Sequence, residues 1–235
     1  MIRRLAFAFL ALAPSAVAAS EWKGEAAAGL LTTSGNSETQ SINGKFNLEY
    51  LTTKWKNRFT ATALNNSDEE ESTAERYTVG DQLDYNFNPK NYAFVAVDWE
   101  KDRFGGFRER TVQSLGYGHR FLTGPKHLLD AEIGAGARQT EAQDTGERED
   151  EFIGRLSSRY QWVISETSTF SQSIKVESGS ENTFSEAVSE LKLSIIGNVF
   201  AGISFTARNN SDVPPDTKKT DTYTAVNLSY TFGSK

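Results

Sequence analysis

The sequence predicts an all-β fold, an antiparallel up-and-down transmembrane β-barrel of about 12 strands with short periplasmic turns and longer external loops. Three observations predict it. Apolar and polar residues alternate with a period of two in segment after segment. Most of these segments have about ten to fifteen residues, whereas soluble strands usually have about five or six and spanning strands need about nine to eleven. Aromatic residues on the apolar faces gather beside the short connections, where an interfacial girdle belongs.

Residues 1–19 differ in character from the rest of the chain. Arg3 and Arg4 form a short basic region, Leu5 to Ala13 an apolar run, and Ala16 to Ala18 the small residues that signal peptidase needs, together a secretory signal peptide. The apolar run is too short to cross a bilayer as a helix, and no later segment has the roughly 20 apolar residues that such a helix needs. Residues 20–235 then form a single barrel domain, exported to the outer membrane of a Gram-negative cell. Losing Arg3 and Arg4 carries the formal net charge from −6 to −8, an acidic balance unsuited to nucleic acid. Cysteine is absent, which excludes disulfides, thiolate metal sites and a cysteine nucleophile. The mean hydropathy of −0.51 suggests a water-soluble domain, but an average misleads when the apolar residues all point one way.

The first strand is an opening segment from Trp22 to Thr32. In Glu38 to Thr52, Ile42, Gly44, Phe46, Leu48 and Tyr50 oppose Asn43, Lys45, Asn47 and Glu49. In Trp55 to Asn65, Trp55, Phe59, Ala61 and Ala63 oppose Lys56, Arg58, Thr60 and Thr62. The next sets Tyr77, Val79, Leu83, Tyr85 and Phe87 against Arg76, Thr78, Gln82, Asp84 and Asn86. Further segments centre on Val95, Leu115, Ile133, Leu156, Ile174, Leu191, Ile203 and Val226. Connections alternate: short ones near Thr53, Asn88 to Asn91, Leu122 to Lys126, Ser165 to Glu166 and Gly197 to Asn198 take turns with longer polar ones beginning at Ser34, Asn65, Lys101, Gln139, Ser178 and Asn209. An even barrel with both termini on the short-turn side requires this alternation.

The apolar-face aromatics Tyr50, Trp55, Tyr85, Phe87, Phe121, Trp162, Tyr230 and Phe232 lie near short turns or the C-terminus and are expected to form one girdle. Parity sends charges inward: Arg110, Arg120, Asp130, Glu132, Arg138, Glu151, Arg155 and Arg159, then Lys175, Glu177, Glu186, Glu190, Lys192 and Arg208. Hairpins symmetric about their loops pair Arg138 with Glu151, Asp130 with Arg159, Arg155 with Glu177, Lys175 with Glu186 and Arg208 with Asp221. Such a lumen is either a polar pore selecting a small ionic or zwitterionic solute or a closed interior filled by ion pairs. Inward Gly116, Gly118, Gly134 and Gly136 leave a strip without side chains, read as a groove or, more commonly, as space for long Arg and Glu side chains opposite.

Catalytic and metal sites have weaker support. A lipid-facing hydrolase would need His119 or His127, but no GxSxG elbow occurs and His119 sits beside Phe121 in the girdle. Ser67 to Glu71 could attract divalent cations but lacks the pattern of a Ca²⁺ loop. The residues require no cofactor, catalytic residue or metal ligand, and no lipid-face patch stands out as an interface.

Three stretches carry a resemblance: "GLLTTSGNSETQSINGKFNLEY" from Gly29, "RYTVGDQLDYNF" from Arg76 and "DWEKDRFGGFRERTVQSLGYGHRF" from Asp98. Together they resemble the uncharacterised family of small β-barrels labelled salt-induced outer membrane proteins. The resemblance implies an outer-membrane barrel and little chemistry, because the family's activity is undefined. Expected partners are outer-membrane lipid and lipopolysaccharide, the outer-membrane assembly machinery and a small polar solute. The function expected is a narrow polar pore or a structural, envelope-stress barrel with an ion-paired interior. The alternative is a soluble periplasmic β-barrel that binds an apolar ligand and so reverses the faces. The chain ends on Gly233 to Lys235 after Phe232, a tail beyond the terminal aromatic with which such barrels usually finish.

Overall fold

A computed structural model describes residues 20–33, 39–68, 71–103, 107–143, 145–213 and 218–234; the predicted leader lies outside them. Twelve antiparallel strands close into one ring: β1 (Glu21–Thr33), β2 (Thr39–Leu51), β3 (Trp55–Asp68), β4 (Glu71–Asn86), β5 (Asn91–Asp102), β6 (Phe107–Thr123), β7 (His127–Ala142), β8 (Arg148–Ser165), β9 (Ser168–Ser178), β10 (Thr183–Ile196), β11 (Val199–Asn210) and β12 (Thr220–Gly233). Each pairs with its neighbours in sequence, and β1 closes on β12. Closure leaves no free edge, which a wall in lipid requires, because hydrocarbon offers no partner to an unpaired backbone group.

Five tight connections lie at one end, at 52–54, 87–90, 124–126, 166–167 and 197–198. Local chemistry shapes them. The Asn88 side chain accepts hydrogen bonds from the backbone amides of Lys90 and Asn91 at 3.0 and 2.9 Å, and Gly197 adopts φ +54°, as a two-residue hairpin turn demands. At the other end much of the polar sequence expected in loops is extended wall: β3 runs to Asp68, β7 to Ala142, and β8 starts at Arg148. Polar residues beyond the apolar band keep their backbone paired because water satisfies their side chains on either face.

The burial pattern is inside-out. Leu115 is 65% exposed and Ile133 61%, whereas Glu132 is 4% and Arg138 1% exposed. Apolar side chains cover the outside and charges line the inside, so the face reversal required of a soluble, apolar-binding barrel does not occur. A bulge between Phe107 and Glu109 shifts the parity of β6, turning Phe107 into the lumen, where it is buried, while Arg108 pairs at the surface with Glu141 at 3.2 Å.

The seam between β1 and β12 runs from Lys23–Gly233 to Ala28–Leu228. Beyond it, the Ser234 amide donates to the Trp22 carbonyl at 2.9 Å and Trp22 N donates to Ser234 Oγ at 2.8 Å. The C-terminal tail thereby extends the closure of the barrel.

Candidate functional site: the barrel lumen

The lumen is built from alternate residues of every strand, and most of the charges among the described residues gather in three groups. Toward the short turns, Glu132 of β7 accepts hydrogen bonds from Arg58 (3.3 Å), Gln82 (2.9 Å), Tyr92 (2.8 Å), Ser157 (2.7 Å) and Arg159 (2.7 Å). Arg159 also holds Asp130 at 2.7 Å, and Arg58 lies 3.4 Å from Asp84. Arg120 stacks over the Tyr92 ring at 4.5 Å and donates to Asn86 at 2.8 Å. At mid-height Arg155 donates to Asp98 at 2.8 Å and lies 3.7 Å from Glu177, which Lys175 approaches to 3.8 Å.

The third group lies toward the external loops. Arg208 of β11 holds Glu100 of β5 through two parallel hydrogen bonds of 2.6 and 2.7 Å. Arg110 donates to the same carboxylate at 2.8 Å, and the buried Phe184 ring lies 4.2 Å from the Arg110 guanidinium and 4.9 Å from that of Arg208. Strands β5 and β11 are diametrically opposed in the ring. A circular wall of this strand number, spaced about 4.8 Å and tilted about 40°, is about 24 Å across, farther than one arginine and one glutamate can bridge. The contact therefore pulls the two walls together and divides the lumen.

Glycines permit close approach between adjoining strands of the wall. A Cβ on Gly116, Gly134 or Gly136 would collide with the backbone of the adjoining strand, and one on Gly29 with Val226 O and Asn227. These positions sit at β6–β7 and at β1–β12, on opposite sides of the ring, where adjoining strands approach too closely to admit a Cβ. The glycine strip is neither a groove nor room for opposing Arg and Glu side chains: the rings of Tyr92 and Phe94 from β5 lie across Gly118, Gly116 and Gly134.

The charge pairs expected from hairpin symmetry, Arg138–Glu151, Asp130–Arg159, Arg155–Glu177, Lys175–Glu186 and Arg208–Asp221, are all directly opposed in the strand registers. Asp130–Arg159, Arg155–Glu177 and Arg138–Glu151 form ion pairs, Arg138 Nε reaching Glu151 at 2.8 Å. The other two pairs reach past each other: Arg208 turns to Glu100 and lies 3.0 Å from Glu186, and Asp221 lies 3.6 Å from Arg76. Glu190 meets Lys45 at 3.2 Å and Lys192 meets Glu25 at 2.6 Å, bridges from β10 to β2 and β1. The lumenal residues not singled out in the sequence include Arg58, Arg76, Asp84, Asp98 and Glu100, whose parity was already visible, and Tyr92, Phe94 and Phe184, which no polarity signal marks as inward.

Outside, Tyr50, Trp55, Phe87, Phe121, Trp162 and Tyr230 are exposed at the short-turn end, with Tyr85 against Trp55 and Phe232 stacked on Tyr230. Trp22 and His127 join them, His127 stacked with Tyr160 and Trp162. His119 Nδ1 lies 2.6 Å from Asn91 Oδ1 and its ring is edge-on to Phe121. A second outer band comprises Tyr77, Trp99 and Phe205 toward the external end.

One lumenal wall remains open. Thr60 and Thr62 of β3 face inward, as their alternation with Arg58 requires, yet both are solvent-exposed. Thr62 shares a 2.6 Å hydrogen bond with Thr78. Asp98 and Lys45 border this wall with about a third of each side chain exposed.

A family model described as a protein of unknown function, DUF481, matches residues 26–232. Protein YdiY of Escherichia coli (strain K12) is 30% identical over 227 residues, covering 95% of this chain and 88% of that protein. Among solved structures, the NanC porin superposes with a TM-score of 0.53 at 9% identity, covering 90% of this chain and 99% of the porin. An outer membrane channel from Pseudomonas putida F1 gives 0.51 at 13% identity, covering 95% and 100%. At such identities the likeness concerns the fold, which is that of outer-membrane porins and channels. The chain is a member of the DUF481 family.

Proposed function

We propose that the protein is a narrow outer-membrane pore whose water path runs off-centre, beside the β2–β4 wall rather than along the barrel axis. The observation that carries this reading is the exposure of Thr60 and Thr62 inside the lumen, on the side that the Arg208–Glu100 bridge leaves unfilled. Neutral hydroxyls flanked by Lys45 and Asp98 suit a small polar or zwitterionic solute, because both charge signs are offered and neither dominates. The leader delivers the chain to the assembly machinery, and the finished barrel sits among lipid and lipopolysaccharide without a catalytic task.

A second reading, a closed barrel of structural role, draws on the Arg208–Glu100 contact between opposed walls. Conductance of the purified protein in planar bilayers separates the two. Discrete steps, smaller in Thr62→Trp, support the pore; absence of steps overturns it in favour of the closed barrel.

A further inference from the structure

Three consecutive short turns end on a lysine: Lys54 before β3, Lys90 before β5 and Lys126 before β7. Each carries the strand ladder one step past the strand itself. Asn86 N donates to Lys54 O at 2.7 Å, Arg120 N to Lys90 O at 2.8 Å and Val163 N to Lys126 O at 2.9 Å. Residues paired in this way share a face of the sheet, and these partners face inward. Arg120 lies over the lumenal Tyr92 ring and donates to Asn86, while Val163 alternates with the outward, exposed Trp162 and Ile164. The three lysines therefore stand on the lumenal side of the rim, and all three are exposed.

Their charge is unbalanced. Lys54, Lys90 and Lys126 form no ion pair among the described residues. The acidic residues nearby are already matched: Glu49 lies 3.0 Å from Lys56, Asp84 lies 3.4 Å from Arg58, and Asp130 lies 2.7 Å from Arg159. Glu21 shares its face of β1 with Lys23. The equivalent turn positions before β9 and β11 are neutral, Thr167 and Asn198, whose carbonyls accept from Ser194 N and Thr231 N at 2.8 and 2.9 Å. The excess of positive charge is thus confined to the β3–β7 side of the mouth. Strand β3 runs from Lys54 to the exposed Thr60 and Thr62, so the cationic arc lies at the inner end of the open wall. Neighbouring lysines of the arc are two strands apart, about 12 Å along the wall. With a screening length of about 10 Å at 0.1 M salt their fields overlap across the opening.

We propose that this arc makes the short-turn mouth select small anions over cations, which narrows the solute to one carrying a carboxylate or phosphate. Such selectivity rests on the pore proposed above: the neutral threonine wall admits the solute, and the lysines decide its charge. Lysine and arginine at a constriction act in this way because an anion finds there the counter-charge that it loses with its hydration shell.

Purified protein in planar bilayers under a KCl gradient gives the permeability ratio from the reversal potential. At about 0.1 M salt chloride should permeate several times more readily than potassium, and the preference should fade at about 1 M, where screening shortens to about 3 Å. Combining Lys54→Gln, Lys90→Gln and Lys126→Gln should bring the ratio close to one with conductance steps retained. Lys54→Glu, Lys90→Glu and Lys126→Glu together should reverse it. Arg103→Gln with Arg148→Gln, which removes exposed charge from the outer surface at the other end, should leave it unchanged. The three lysine carbonyl bonds belong to the backbone, so these variants keep the turns, and heat-modifiable migration verifies that each is folded. Steps without anion preference, or a preference indifferent to the triple glutamine replacement, overturn the proposal and leave the pore standing; absence of steps overturns both.

Discussion

Replacing Glu132 with leucine should cost about 3 kcal/mol of barrel stability, at the lower end of the roughly 3–5 kcal/mol typical for breaking a buried ion pair. Glu132 is buried and accepts hydrogen bonds from Arg58, Gln82, Tyr92, Ser157 and Arg159, which come from β3, β4, β5 and β8. Its removal strips both arginines of a counter-ion at once. The loss stays at the lower end because Arg159 keeps Asp130 at 2.7 Å, Arg58 keeps Asp84 at 3.4 Å, and 37% of the Arg159 side chain already meets lumenal water. Glu132→Gln preserves the shape but turns an amide donor toward other donors, and should cost about 2 kcal/mol as hydrogen bonds to charged groups are weakened. Urea unfolding of barrels refolded in micelles, followed by tryptophan fluorescence, reads both as a lower midpoint at unchanged slope. A loss below about 1 kcal/mol for Glu132→Leu, the range of exposed pairs, would refute the reasoning and mean that water, not protein, solvates these charges.

Other variants test other parts of the design. Gly118→Leu drives a side chain into the ring of Tyr92 and should destabilise by about 1–3 kcal/mol through overpacking, measured by the same unfolding assay. Deleting Gly233 to Lys235 removes the three Trp22–Ser234 hydrogen bonds, a loss of about 1–2 kcal/mol that should appear as slower assembly and a lower midpoint; unchanged behaviour would mean that the tail does not help close the seam. Arg208→Gln breaks the pair of hydrogen bonds to Glu100 and should raise unit conductance in planar bilayers by letting the opposed walls separate. Thr62→Trp should lower that conductance several-fold, with Ser171→Trp on the opposite wall having much less effect.

Much of the architecture was legible because lipid enforces a simple code. Leu115 and Ile133 outside, Glu132 and Arg138 inside, follow from a period of two and need no tertiary information. Hairpin symmetry also sufficed for register, which is why Arg138 faces Glu151 and Lys175 faces Glu186. It placed Arg208 beside Asp221 as observed, but register along one hairpin does not reveal that Arg208 takes its carboxylate partner, Glu100, from the far wall. Phe107 escaped because a bulge reversed its parity. Tyr92 and Phe94 escaped because an aromatic facing inward leaves no mark in an alternation scored by polarity.

The sequence by itself determined the all-β alternation, the strand number, the alternating connections and the placement of charges inside, because each is a local property of chain period and turn chemistry. Only the tertiary structure decided which charges meet across the lumen, that the lumen is divided between β5 and β11, and that aromatic rings cover the glycine strip. Those features depend on the curvature of the closed wall, which brings together side chains from strands far apart in sequence, and no period along one strand encodes the distance across a ring.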